Sequence, residues 1–129
     1  MRGWRLGITL INLQALISHS MMKRSMPNFV KLATIHDIPP NEARAFEYDG
    51  RRIALYHCGD TFYATTDICS HAYAELNEGY LDTDDCTIEC PLHGSRFDIS
   101  TGAVLTLPAY EPIATYPVRV EGEDVLVEL

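Results

Sequence analysis

Residues 67–98 read DICSHAYAELNEGYLDTDDCTIECPLHGSRFD, and they contain two short motifs that each pair a cysteine with a histidine. The first motif is CSH at 69–71 and the second is CPLH at 90–93, with 18 residues between them. Thiolates and imidazoles are donors that bind transition metals in proteins. The pattern therefore favours a metal centre over buried cysteines beside unrelated surface histidines, and the predicted ligands are Cys69, His71, Cys90 and His93.

A mononuclear zinc site is the alternative, because zinc accepts the same donors. Zinc fingers, however, usually take two cysteines from one segment and two histidines from another. Here each motif supplies one cysteine and one histidine. This mixed pairing fits a two-iron cluster better, since one iron can bind both thiolates while the other binds both imidazoles.

Outside these motifs the chain consists of short apolar or alternating runs separated by turn residues. Such a pattern is typical of a small all-β sandwich or barrel. Asp49-Gly50 is a strong hairpin signal, and Gly59-Asp60 marks the next reversal. One helical turn is possible over 72–76. The predicted strands cover residues 30–33, 43–48, 51–58, 61–66, 87–89, 113–120 and 125–129.

The chain from Asn28 to Leu129 resembles the Rieske ferredoxins of bacterial ring-hydroxylating dioxygenase systems. The most specific part is the two ligand motifs with the continuation GSRFD at 94–98, followed by a Thr-Gly turn at 101–102. The resemblance implies an all-β fold of small antiparallel sheets, with the cluster-binding loops at one tip. It also implies one [2Fe–2S] cluster whose histidine ligands have exposed edges.

Ligand charge bears on the reduction potential of such a cluster. Two ferric ions, two sulfides and two thiolates sum to zero charge when both histidines are neutral, so an electron is added more easily than to a four-thiolate cluster. In the related branch from cytochrome complexes, residues matching Ser95 and Phe97 are a serine and a tyrosine that donate hydrogen bonds toward sulfur. Because Phe97 lacks that hydroxyl, we expect a potential toward the low end of the Rieske range.

That branch also joins its two loops by a disulfide between positions that match Ala74 and Leu92, so this chain cannot form the same bridge. The remaining cysteines, Cys58 and Cys86, have no partner at ligand spacing. We expect both to be buried free thiols rather than a disulfide.

The resemblance implies an electron carrier rather than an enzyme, passing electrons from a flavin-dependent reductase to a terminal non-haem iron oxygenase. The residues after the second motif contain no pattern like a two-histidine, one-carboxylate iron site. The oxygen chemistry is therefore expected on another polypeptide. The alternative is a fixed small subunit of a multi-component oxidoreductase, either like the small subunit of a nitrite reductase or as an electron-entry module of an oxygenase.

Composition indicates an ordinary globular protein, with 47% apolar and 22% charged residues in 129. Residues 1–26 hold four basic residues and no acidic ones, while the rest holds six basic and all 18 acidic residues. This acidic body makes nucleic acid a poor partner. The apolar run at 6–17 is too short for a membrane span and weak as a signal peptide. We expect a dispensable extension over 1–27, with a tethering helix as the alternative, and a cytoplasmic domain over 28–129.

Other polar and aromatic residues have plainer expected roles. His19, His36 and His57 have no acidic or nucleophilic constellation around them, so we expect them at the surface or in turns. The acidic run at 82–85 and the acidic tail at 121–128 are expected to be solvated, with a docking surface as the alternative. We expect three tyrosines to lie in the core, with shielding of the cluster from solvent as the alternative; they are Tyr73, Tyr80 and Tyr110.

Overall fold

The computed structural model describes residues 28–70, 73–92 and 94–129. These residues form three antiparallel sheets and two short 3₁₀ turns, at Ile35–Asp37 and Leu76–Glu78, which confirms the prediction of an all-β fold. The strands are β1 (Phe29–Thr34), β2 (Ala43–Tyr48), β3 (Arg51–Cys58), β4 (Thr61–Thr66), β5 (Tyr80–Asp82), β6 (Thr87–Glu89), β7 (Arg96–Asp98), β8 (Thr115–Tyr116), β9 (Val118–Glu121) and β10 (Asp124–Glu128). Within the described ranges, no helix has the length and apolar character needed to cross a membrane.

The central sheet has the order β2-β3-β4-β8, and the other two are β9-β10-β1 and β5-β6-β7. Local turn chemistry sets the first hairpin, because Asp49 and Gly50 have φ angles of 53° and 80°, in the region that a two-residue hairpin turn requires. Tyr48 consequently pairs with Arg51 in register. The predicted reversal at Gly59-Asp60 likewise joins β3 to β4.

Strand β3 is buried on both faces, and this places it between two cores. Successive side chains of a strand point to opposite faces. Ile53 and Leu55 pack with residues of β1 and β10, whereas Ala54 and Tyr56 pack into the second core. The nearly continuous apolar run of β3 therefore reflects burial on both sides rather than on one.

The second core extends from the central sheet to the predicted ligand loops. It includes Cys69 and Cys90 together with Ile88 of β6 and Phe97 of β7. Phe97 and Ile88 are fully buried, and they pair across the small sheet. The two cysteines among the predicted ligands are therefore fixed by the same packing that stabilises the domain.

Three details of the predicted secondary structure were wrong. The single strand expected over 113–120 is divided at Pro117, which has no backbone N–H to donate to a sheet: β8 pairs with β4, and β9 pairs with β10. The short strands β5 and β7 were not predicted. The helical turn lies at Leu76–Glu78 rather than over 72–76. The predicted extension over 1–27 lies outside the described residues.

The prediction that Cys58 and Cys86 are free thiols was also wrong. The two residues form a disulfide with a Cα–Cα distance of 6.0 Å. Cys58 ends β3, and Cys86 lies in the turn between β5 and β6, so the bridge joins the central sheet to the sheet that carries the second ligand motif. Their separation of 28 residues gave no local signal of this contact.

Candidate metal centre

The first ligand motif lies in a loop that follows β4. Cys69 is buried, and its backbone N–H donates to the carbonyl oxygen of Ala74 at 3.0 Å. Ile68 and Glu75 form an isolated β-bridge just outside this bond. These contacts hold residues 68–69 beside residues 74–75, with the cysteine at the base of the loop.

The second motif lies in the loop between β6 and β7. Cys90 is buried, and its N–H donates to the carbonyl oxygen of Ser95 at 2.7 Å. Gly94 donates to the carbonyl oxygen of Cys90 at 3.1 Å, with a φ angle of 81° that favours glycine. The strand pairing of Glu89 with Arg96 holds the two ends of this loop together.

The two loops are thus closed by the same backbone hydrogen bond. Each cysteine N–H is bonded to the carbonyl oxygen of the residue five positions later, so the loop is closed by its backbone while the sulfur lies in the second core. The structure brings Cys69 and Cys90 into this common core. His71 and His93 lie outside the described residues, so their role as ligands stays a prediction.

A third segment, 105–111, is bonded to both loops. The hydroxyl of Ser70 donates to the carbonyl oxygen of Glu111 at 2.6 Å, and the N–H of Ala109 donates to Oγ of Ser95 at 3.0 Å. Ser95 is fully buried. Accepting from Ala109 does not use the hydroxyl proton, so Ser95 can also act as a donor, which fits its expected role toward a cluster sulfide. No sequence pattern indicated that residues 105–111 contact the two loops.

The sequence patterns also did not reveal a charged network at the base of the first loop. Asp67 is fully buried and lies 3.2 Å from Arg52, whose guanidinium also lies 3.1 Å from Glu75. Burial works against the charge of Arg52, but the hydrogen bond with Asp67 and the nearby carboxylates outweigh it and raise the pKa of Arg52. The guanidinium therefore stays charged, and the network connects β3 to the first ligand loop.

The three tyrosines expected in the core are instead exposed. Tyr73, Tyr80 and Tyr110 are 78%, 67% and 82% exposed. Two lie in loops and Tyr80 begins the short strand β5, so no second layer formed by the described residues covers them. The core prediction for these residues was wrong.

The acidic run at 82–85 is partly paired rather than wholly solvated. Arg96 lies 3.4 Å from Asp82 and 3.9 Å from Asp85, and it also donates to the hydroxyl of Thr87 at 2.8 Å. Asp84 is exposed. The basic residue that follows the second motif therefore neutralises part of this run.

Two of the other histidines, His36 and His57, make contacts outside the ligand loops. His57 stacks on Phe62 with ring centroids 4.1 Å apart, and its Nδ1 lies 3.0 Å from the carbonyl oxygen of Ile38. His36 is exposed on the first 3₁₀ turn, where its ring lies 3.4 Å from Glu123, in agreement with the surface prediction. His19 lies outside the described residues.

The chain is similar in sequence and in structure to known proteins. The family model of the Rieske [2Fe–2S] domain matches residues 28–117. The 3-phenylpropionate/cinnamic acid dioxygenase ferredoxin subunit of Shigella boydii is 45% identical over 102 residues, which cover 79% of this chain and 94% of the relative.

Two solved structures show the same relation. The ferredoxin of carbazole 1,9a-dioxygenase from Nocardioides aromaticivorans is 40% identical, with a TM-score of 0.75 over 78% of this chain and 97% of that chain. A ferredoxin in a complex of reduced oxygenase and oxidized ferredoxin of carbazole 1,9a-dioxygenase is 36% identical, with a TM-score of 0.72 over 80% and 94% of the two chains. The similarity therefore covers nearly the whole of each relative.

Proposed function

The chain belongs to the family of Rieske [2Fe–2S] domains, and from that premise we propose that it is a one-electron carrier, not an enzyme, that serves a terminal non-haem iron oxygenase. The domain holds one [2Fe–2S] cluster, which supplies one-electron oxidation and reduction when bound. The observation that carries the proposal is the burial of Cys69 and Cys90 in one core. Each lies in a loop closed by a hydrogen bond from the cysteine N–H to the carbonyl oxygen five residues later.

We propose that Cys69 and Cys90 bind one iron and that His71 and His93 bind the other. Support comes from the donor set, since each loop supplies one thiolate and one imidazole. Further support comes from Ser95, which is buried in the second ligand loop, where its hydroxyl proton would be available to a cluster sulfide. A zinc site would use the same four donors, so labile sulfide is what distinguishes the two kinds of centre.

The partners follow from what is known of the relatives. The Shigella boydii relative is named as a dioxygenase subunit, and a carbazole dioxygenase ferredoxin has been seen in complex with its oxygenase. We infer an equivalent oxygenase for this chain and a flavin-dependent reductase as the electron source. Residues 28–129 contain far more acidic than basic residues, which favours basic docking surfaces on both partners. We place the protein in the cytoplasm, together with the reductase and the oxygenase with which it would exchange electrons.

The first expected result concerns the metal itself. Protein produced with a supply of iron and sulfide should contain equal amounts of iron and labile sulfide and take up one electron per chain. Its reduced form should give the EPR signal of a histidine-ligated cluster. Stoichiometric zinc without labile sulfide would contradict the proposal.

A second measurement distinguishes a transient carrier from a fixed subunit. The purified protein is passed through a size-exclusion column with each candidate reductase and oxygenase. We expect separate elution together with fast reductase-dependent reduction, since shuttles bind their partners weakly. Co-elution as a stable complex would instead support the alternative of a fixed subunit.

Phe97→Tyr should raise the reduction potential. Phe97 is fully buried in the core that contains both cysteines, and a tyrosine there would place a hydroxyl donor where the higher-potential branch has one. Potentiometric titration followed by EPR measures the change, and Phe62→Tyr, in the other core, is the control. An unchanged potential, with the new hydroxyl within hydrogen-bonding distance of sulfur, would refute this prediction.

Deletion of residues 1–25 should leave cluster content and reductase-coupled reduction unchanged. The reason is composition: this part of the chain has only basic charges, while the family match begins at residue 28. Iron and sulfide content, the reduction rate and membrane co-sedimentation are compared with those of the full chain. A truncated protein that loses its cluster or its partner would favour the tethering helix instead.

A further inference from the structure

Asp67 is a fully buried carboxylate two residues before Cys69. Its Oδ1 accepts from both the backbone N–H and the side-chain amide of Asn77, each at 2.9 Å. Its Oδ2 accepts from Nε of Arg52 at 3.2 Å. A buried charge is tolerated only when it is paired and hydrogen-bonded, and Asp67 meets both conditions.

These contacts join both ends of the first ligand loop to the central sheet. The N–H of Asp67 donates to the carbonyl oxygen of Arg52 at 3.0 Å, and the N–H of Leu76 donates to the carbonyl oxygen of Asp67 at 2.7 Å. Arg52 lies on β3, whereas Leu76 and Asn77 lie on the 3₁₀ turn that ends the loop. Asp67 thus fixes where the loop begins and where it ends, with Cys69 between the two points.

The second ligand loop has a different support. It connects β6 and β7, and the pairing of Glu89 with Arg96 holds its two ends at the spacing of a sheet. The first loop leaves β4 and runs into a 3₁₀ turn instead of a partner strand. Backbone pairing of its ends is limited to the bridge between Ile68 and Glu75, so side chains supply the rest of the constraint that strand pairing supplies to the second loop.

We propose that Asp67, Arg52 and Asn77 form a clamp that positions the first ligand loop for cluster binding. The clamp residues are positioning residues, since they act through the backbone of the loop. This inference rests on the proposed function, because it assigns a cluster to the loop. The clamp determines how firmly and in which geometry the cluster is held, in addition to what the clamp contributes to folding.

Asp67→Asn and Arg52→Gln test the clamp by removing one charge each. With an iron chelator present, both variants should lose their visible absorption about tenfold faster than the wild type, or faster still. The cluster that remains should give a shifted or broadened EPR signal. Glu42→Gln is the matched control, since it breaks the exposed ion pair with Arg44 outside both loops, and its rate and spectrum should match those of the wild type.

Two further variants guard against simple misfolding. Asn77→Ala removes the amide but keeps the Asp67–Arg52 pair, and it should give a smaller acceleration of cluster loss in a folded protein. The double variant Asp67→Asn/Arg52→Gln should lose its cluster more slowly than the sum of the single effects predicts, because neither charge is left without its partner.

The outcomes separate the two proposals. A wild-type protein without the EPR signal of a histidine-ligated cluster would overturn the proposed function and the clamp together. A wild type with that signal, and variants with a lowered Tm but unchanged cluster-loss rate and EPR spectrum, would overturn the clamp alone. Accelerated loss and an altered spectrum in the clamp variants, but not in Glu42→Gln, would support it.

Discussion

Cys69→Ala and Cys90→Ala are expected to abolish cluster binding, whereas Cys58→Ala and Cys86→Ala are expected to retain the cluster. The chain has four cysteines, and the structure divides them into two pairs. One pair lies at the base of the two ligand loops, and the other forms the disulfide between β3 and the turn after β5. Removal of a thiolate ligand leaves an iron without its donor, so iron, labile sulfide and visible absorption should all be lost.

The disulfide variants should show their effect in stability. A bridge that closes a loop of 28 residues restricts the unfolded chain, and its loss is expected to lower the free energy of unfolding by about 3–4 kcal/mol. Thermal unfolding of Cys58→Ala and Cys86→Ala, each compared with the wild type in the cluster-loaded form, measures this cost. Cluster loss in Cys58→Ala as complete as in Cys69→Ala would contradict the division into two pairs.

Alkylation provides an independent check of the same division. Protein denatured in iodoacetamide without a reductant should gain two labels, on Cys69 and Cys90, as measured by mass spectrometry. After reduction it should gain four. Four labels without reduction would restore the free-thiol prediction for Cys58 and Cys86.

His71→Cys and His93→Cys are expected to lower the reduction potential by on the order of 100 mV or more, since each exchange moves the cluster toward the four-thiolate class, which lies several hundred millivolts lower. Each substitution replaces a neutral ligand with an anionic one, and the added negative charge opposes the entry of an electron. EPR-monitored titration of anaerobically purified protein measures the potential.

His36→Cys is the matched control for this series. It makes the same exchange at an exposed position on the 3₁₀ turn after β1, beside Glu123 and outside both ligand loops. Its potential should equal that of the wild type. A ligand variant that keeps its cluster and titrates at or above the wild-type potential would show that the charge argument, or the assignment of that histidine, is wrong.

Sequence alone identified the features that depend on neighbouring residues. The spacing within CSH and CPLH indicated the metal centre because both donors of a motif lie within a few residues of each other. Asp49-Gly50 predicted its hairpin because the backbone angles of a two-residue turn depend on those two residues. The strands on either side, β2 and β3, were therefore placed with their observed bounds.

Tertiary structure decided the contacts between distant parts of the chain. The Cys58–Cys86 bridge spans 28 residues, the Arg52–Asp67 pair spans 15, and the bond from Ser70 to Glu111 spans 41. Nothing in the local pattern of any one of these residues specifies its partner, because the partner is set by how three sheets pack. Exposure of the tyrosines had the same origin, since an aromatic side chain is buried only where another layer covers it. The sequence thus predicted which residues carry the chemistry, and the packing of the sheets determined what holds Cys69 and Cys90 in place.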